Sequence, residues 1–370
     1  MANPPDICIR GAGIVGRTLA LLLARERLNV ALVEAPTTAT TDVRAYSLNG
    51  AAMALLQDLR CWPDSPAVTP VHQMQVWGDH GGQLNFGASE QGVGELNWMV
   101  DVPVLEARLT AAVQFQPLIE VVQAPVAASL TVICEGRDSL TRAQLGVAFD
   151  IKAYEQHAVA TRLLCERPHG GVARQWFQNG EIMALLPLEG PQGNSVALVW
   201  SLEAQQADHW LAAAPEALAQ AVQTRCAQVL GEMQLESPAQ AWPLELSKAQ
   251  RWIARTPQGG VVLAGDAAHA MHPLAGQGLN VGLADAAELA RVLHGREYWR
   301  ELGDLKLLRR YERARQADVN AMGWVTDGLF GLFAQTDSRV MALRNWGMTG
   351  VDRLGPLKHW LARQAMGQAG

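Results

Sequence analysis

One stretch constrains this chain more than any other. Residues Asp6 to Ile9 lead into Gly11-Ala-Gly13-Ile-Val-Gly16, a Leu/Ala-rich helix runs on to about Asn29, and Val30 to Glu34 reads as a second strand. Strand, glycine-rich turn, helix and strand within about 30 residues make one βαβ unit. In such a turn Gly11 permits the tight bend, Gly13 lets a pyrophosphate approach the backbone and Gly16 lets helix and strand pack closely. The helix N-terminus then faces the anion. Glu34 stands at the end of the second strand, where a carboxylate accepts from ribose hydroxyls. That acid favours a free 2′-hydroxyl, so FAD or NAD fits and tightly held NADP does not.

The rest of the chain alternates between two kinds of signal. Helix returns at Leu48 to Leu59 and Val104 to Val113, and buried strands recur at Leu130 to Cys134 and Val261 to Ala264. Between them, Val71 to Trp98 and Val147 to Trp200 show period-two alternation and Gly-rich turns, the pattern of an antiparallel sheet. Residues 204–231 and the last 70 or so read as helices. The expected fold is therefore α/β (α+β): a Rossmann-like nucleotide-binding domain (1–68, 101–146 and 244–333) interrupted by a mostly antiparallel-sheet substrate domain (69–100 and 147–243), with C-terminal helices over 334–370.

Composition excludes several classes. Hydrophobic residues are 49% and charged residues 18%, as in a globular protein, and the net charge of −6 gives no footprint for nucleic acid. Five cysteines without a CxxC pair suit a reducing cytosol and offer no zinc site. No apolar run approaches the roughly 20 residues needed to span a bilayer, and Met1 to Arg10 lacks the features of a secretory leader. The expected location is cytoplasmic.

A second chemical motif runs from Gly265 to Asp285, GDAAHAMHPLAGQGLNVGLAD. Asp266 follows a buried strand, and Gly276-Gln277-Gly278 opens a helix whose free backbone N–H groups suit an electron-rich ring. His269 and His272, three apart and without a Cys partner nearby, make a poor metal site.

This segment resembles the second FAD fingerprint of the class A (p-hydroxybenzoate hydroxylase-like) flavin monooxygenases, and its wording resembles the ubiquinone-biosynthesis hydroxylases among them. The resemblance covers nearly the whole chain. Asp42-Val-Arg44-Ala is similar to the family's flavin loop, and Cys134-Glu135-Gly136-Arg-Asp-Ser139-Leu-Thr-Arg142 to its middle motif. Tyr154-Glu-Gln156, Ala184 to Leu188 and Val199-Trp200 are similar to its substrate-domain strands, and Leu343 to Gly347 and Pro356 to Lys358 to its C-terminal helices. By resemblance, Gly11, Gly13, Gly16 and Glu34 hold the AMP half of FAD. Asp266 binds the ribitol, and Gly265 before it is counted among the cofactor-binding residues. His272, Gly276, Gln277, Gly278, Leu279 and Asn280 lie against the isoalloxazine, with Pro273 near its C4a edge. Arg44 contacts the pyrophosphate or steadies the flavin, and Glu135 and Arg142 belong to the middle motif. The chain departs from the family pattern at Arg10, Val102, Glu135 and Ala284.

The resemblance implies an aromatic-ring hydroxylase that uses NAD(P)H and O2 through a flavin C4a-hydroperoxide, which needs a dry cavity. Trp77, Trp98, Trp176 and Trp200 are candidates to line one or simply to pack in the core. Tyr154, His157, His169 and His272 are candidate partners for a phenol proton. Three readings stay open here: hydroxylation of a hydrophobic polyprenyl phenol of ubiquinone biosynthesis, hydroxylation of a small soluble phenol, and a weakly active flavin-binding scaffold subunit of a biosynthetic complex. From Ser338 to Gly370, Arg339, Arg344, Arg353, Lys358 and Arg363 stand against Asp352 alone, among apolar residues that include Trp346 and Trp360. That pattern suits a peripheral contact with the inner-membrane surface. A homo-oligomer is equally compatible with the sequence.

Overall fold

The computed structural model describes residues 4–35, 43, 45–78, 81–270 and 278–334, with backbone only over 322–334. Arg44, His272, Pro273, Gly276, Gln277 and the basic segment 338–370 lie outside the described residues. The first unit is β1 (Ile7–Arg10), α1 (Ile14–Arg25) and β2 (Val30–Val33). There follow β3 (Ala45–Leu48), α2 (Gly50–Asp58), β4 (Val68–Val71), β5 (Gln73–Trp77), β6 (Gln83–Gly87), β7 (Asn97–Asp101), α3 (Val102–Gln114), β8 (Ile119–Val122), β9 (Leu130–Ile133) and α4 (Leu140–Gln144). The chain continues through β10 (Phe149–Cys165), β11 (Val172–Gln178), β12 (Glu181–Leu188), β13 (Ser195–Glu203), α5 (Ala204–Ala212), α6 (Pro215–Arg225), β14 (Met233–Leu235) and β15 (Gln240–Ala249). It ends on β16 (Ile253–Thr256), β17 (Gly259–Leu263), β18 (His269–Ala270), α7 (Gly278–His294) and α8 (Leu305–Ala334).

Three sheets organise these elements. A six-stranded sheet runs in the order β16-β17-β9-β1-β2-β8, parallel except where β16 pairs antiparallel with β17. Its central strands are apolar and buried because helices cover them, as parallel strands require. A nine-stranded sheet carries β10 to β15, β5, β6 and β18, all antiparallel neighbours except β11 beside β5. A three-stranded sheet, β3-β7-β4, lies between them in the packing, with Val71 and Met99 against Ala184, Leu186 and Ala197 of the large sheet. The expected boundary at 243/244 falls within β15, which pairs with β10 along its length. The helical stretch 204–231 is two helices, interrupted before the Pro215 that starts α6.

The tryptophans resolve in favour of packing. Trp77 stacks on Trp176 with centroids 4.9 Å apart, and Trp200 stacks on Trp210 at 5.7 Å. All four belong to the core under α5 and α6, on the face of the large sheet turned away from the three-stranded sheet. Trp98 meets Trp62 edge-on at 6.1 Å against the core of the six-stranded sheet.

His169 is likewise structural. It is buried in the turn between β10 and β11, with Nε2 donating to the Leu188 carbonyl at 2.7 Å and Nδ1 accepting from the Gly171 N–H at 3.0 Å. Burial is the main cause that pushes its pKa below the ordinary imidazole value. The folded state therefore favours the neutral ring, whereas the unfolded chain takes a proton near pH 6.5. The contribution to stability is fully present above that pH and declines as pH falls below it. Thermal midpoints measured from pH 7.5 to 5.5 should fall more steeply in wild type than in His169→Gln. Parallel curves would show that the ring does not titrate with folding.

Candidate functional site

The glycine-rich turn after β1 is shaped by steric necessity. Gly11 has φ +109°, and a Cβ there would overlap the Cys134 carbonyl at the end of β9. A Cβ at Gly16 would overlap the Gly11 carbonyl. Gly13 differs from both. At φ −75° and ψ −175° it is the N-cap of α1, and no atom of the described residues lies within 4 Å of a Cβ built on it. Space above a helix N-terminus, with no side-chain cap to satisfy the first N–H groups, fits an anionic group. Glu34 reaches the same edge, 38% exposed at its side chain, with Oε1 paired to Arg17 Nη2 at 2.6 Å.

The middle motif closes the turn from the side. Glu135 receives the Ser139 and Thr141 hydroxyls, each at 2.6 Å, and the Thr141 N–H at 3.2 Å, so it caps the start of α4. Burial opposes its charge, but these donors and Arg10 hold the carboxyl below the usual carboxylate range. Arg10 Nε lies 2.8 Å from Glu135 Oε1. Two of the departures from the family pattern are thus partners of one another. A third, Val102, packs in the core at the first turn of α3. Arg142 is buried; its guanidinium donates to the carbonyls of Arg137 at 2.7 Å and Ala267 at 3.2 Å and sits 3.6 Å from the Phe149 ring centroid. It thereby ties the middle motif to the turn after β17.

That turn is a single 3-10 turn, Gly265–Ala267, opened by Gly265 at φ +64°. Gly265 is buried against Val15 of α1, and Asp266 points outward from the turn as an exposed side chain. Asn280, expected against the cofactor, uses its side chain as a brace. Its Nδ2 donates to the Ser47 carbonyl at 2.7 Å and its Oδ1 accepts from the Asn49 N–H at 3.0 Å. Leu279 is buried in the first turn of α7. Gly278 has open space at its Cβ among the described residues and no backbone conformation that requires glycine. As the first residue of a helix it tolerates Ala. Gly278→Ala should therefore leave stability unchanged or raise it, by less than the ~1 kcal/mol of helix propensity gained in a helix interior, as read from the thermal midpoint. A drop in hydroxylated product per NAD(P)H in that stable variant would then report contact with the bound ring.

Sequence reasoning missed a buried cluster behind this turn. Asp285 of α7 accepts from the Gly265 N–H at 2.8 Å and from His269 Nε2 at 2.6 Å, while its other oxygen accepts from Arg315 Nε at 2.8 Å. The three residues are separated by 16 and 30 positions, so spacing gave no sign of them. Among the candidate proton partners, Tyr154 and His157 flank a bulge in β10, where the register with β15 shifts between Ala153 and His157. No group of His, Cys, Asp and Glu able to hold a metal occurs among the described residues, and no described helix is long and apolar enough to cross a membrane. A groove of about 1160 Å³, lined by Trp200, Trp210, His209, Glu181 and Arg225, opens beside α5 and α6, and no residue of the turn after β1 lines it.

Residues 119–323 match a family described as FAD binding domain. The chain is 30% identical to "Ubiquinone hydroxylase UbiL" of Rhodospirillum rubrum, covering 98% of this chain and 89% of that one. It is 28% identical to the "3-demethoxyubiquinol 3-hydroxylase" of Escherichia coli, covering 99% of each. In fold it is similar to the p-nitrophenol 4-monooxygenase PnpA from Pseudomonas putida DLL-E4, with a TM-score of 0.77, 16% identity and 99% of both chains covered. Open space at Gly13, the exposed carboxylate of Asp266 and the turn that opens α1 accommodate FAD. With this match over more than half its length and its full-length relatives, the chain belongs to the FAD-dependent monooxygenases, enzymes that consume NAD(P)H and O2.

Proposed function

We propose that this chain hydroxylates the ring of a polyprenyl phenol intermediate of ubiquinone biosynthesis. The observation that carries the reading is similarity along the full chain to two hydroxylases named for ubiquinone chemistry.

In this reading Gly11, Gly13 and Gly16 shape the pyrophosphate cradle, Glu34 takes a ribose hydroxyl through the oxygen that Arg17 leaves open, and Asp266 takes the ribitol. Arg142 and Glu135 hold the middle motif against the second turn. Arg44, His272, Pro273, Gly276, Gln277 and Gly278 are the residues proposed to border the reactive ring and keep water from it, with Leu279 and Asn280 supporting them from behind. The chemistry that bound FAD supplies is hydride uptake from NAD(P)H and activation of O2. Segments 1–68, 101–146 and 244–333 form the cofactor domain, 69–100 and 147–243 the substrate domain, and the basic segment 338–370 meets the membrane surface where such a substrate is dissolved.

The test is deletion followed by quinone profiling. Accumulation of a polyprenyl ring lacking one hydroxyl, restored by the intact gene, is the expected result. A normal quinone profile, with NAD(P)H oxidation stimulated by a soluble phenol, would overturn it.

A further inference from the structure

We infer that Asp285, His269 and Arg315 are positioning residues for the flavin: a buried charge cluster that fixes Gly265–Asp266 in the geometry needed to receive it. The inference rests on the assignment of FAD to this chain. Asp285 is 0% exposed, His269 2% and Arg315 6%. A carboxylate this buried stays ionised only when opposite charges and donors replace water. Burial alone would raise the Asp285 pKa, and His269 and Arg315 bring it below the usual carboxylate range. Its remaining donor is the backbone N–H of Gly265, the residue whose positive φ turns the chain so that Asp266 faces outward. The carboxylate therefore holds the turn from inside while Asp266 works outside.

Each partner comes from a different element, so the cluster also ties the turn to its surroundings. His269 pairs through its backbone with Lys248 of β15 and packs its ring 5.0 Å from the Trp252 ring. Arg315 stands on α8 and also reaches Asp318 at 2.6 Å and the Val281 carbonyl at 3.4 Å. One helical turn earlier, Tyr311 donates to the Leu263 carbonyl at 3.0 Å, two residues before Gly265. Thus α8 grips the strand and the turn that follow one another into the cofactor motif, and a shift of α8 would be felt there first.

The test compares Asp285→Asn, Arg315→Met and His269→Gln with Asp318→Ala, which removes only the exposed partner of Arg315. FAD is stripped from each protein, its affinity is measured by quenching of flavin fluorescence on rebinding, and amide exchange is followed in the apo-proteins. Asp285→Asn and Arg315→Met should weaken FAD at least tenfold and speed exchange over residues 263–270, with the rest of the six-stranded sheet protected as in wild type. His269→Gln, which keeps a donor, should lose less, and Asp318→Ala should match wild type. FAD affinity within twofold of wild type in a folded Asp285→Asn or Arg315→Met would overturn the proposal. So would exchange that rises evenly across the whole sheet. Wild type that rebinds no FAD would instead sink the cofactor assignment itself.

Discussion

Gly13→Val is expected to yield a folded protein that has lost nearly all of its FAD. The backbone at Gly13 is in an extended conformation that Val adopts freely, and its built Cβ meets nothing within 4 Å among the described residues. The cost to the protein itself is that of a poorer N-cap, below about 1 kcal/mol. The cost to the ligand is direct overlap, because close approach of the pyrophosphate to this residue is what the motif exists to allow. An affinity loss of roughly 100-fold, equivalent to about 3 kcal/mol, is anticipated. Flavin content by absorbance and the thermal midpoint of the apo-protein give the two readouts. Wild-type flavin content in the folded variant would refute the cradle assignment.

The opposite pattern is expected three residues further along the motif. In Gly16→Ala the added methyl would collide with the Gly11 carbonyl, a backbone atom that cannot swing aside as a side chain can. Helix α1 would have to lift from β1, losing part of the packing of Ile14, Leu19 and Leu23 in the main core. Overpacking of this kind costs roughly 3 kcal/mol. The urea midpoint should fall sharply, and flavin should be lost as a consequence of unfolding. Equal midpoints in Gly16→Ala and wild type would show that helix and turn are not in this contact. Two glycines of one motif thus separate into a ligand position and a folding position.

Much of this was legible from local pattern. The first βαβ unit, β17 and α7 follow from apolar runs bounded by glycine, and they stand where spacing put them. The three-stranded sheet was not legible, because β3 pairs with β7 some fifty positions on and each strand alone is too short to announce a partner. Nor was β8, an edge strand whose Glu120 and Val121 face outward. Trp176 and Trp200 could not be assigned to a face until the register of β11 against β12 and of β12 against β13 was known. The Asp285 cluster was hidden for another reason: a salt link between side chains 30 positions apart leaves no periodic trace.

The pairing of Arg10 with Glu135 makes two distant positions one structural unit. The acid just after β9 meets a guanidinium at the end of β1, so the ends of neighbouring strands are joined by charge as well as by the ladder between them. Shortening Glu135 to Asp alone would strand Arg10 at a half-buried edge, and removing Arg10 alone would leave the acid without its cation. Changing both together should cost less than the sum of the two single changes, so neither position has a tolerance of its own.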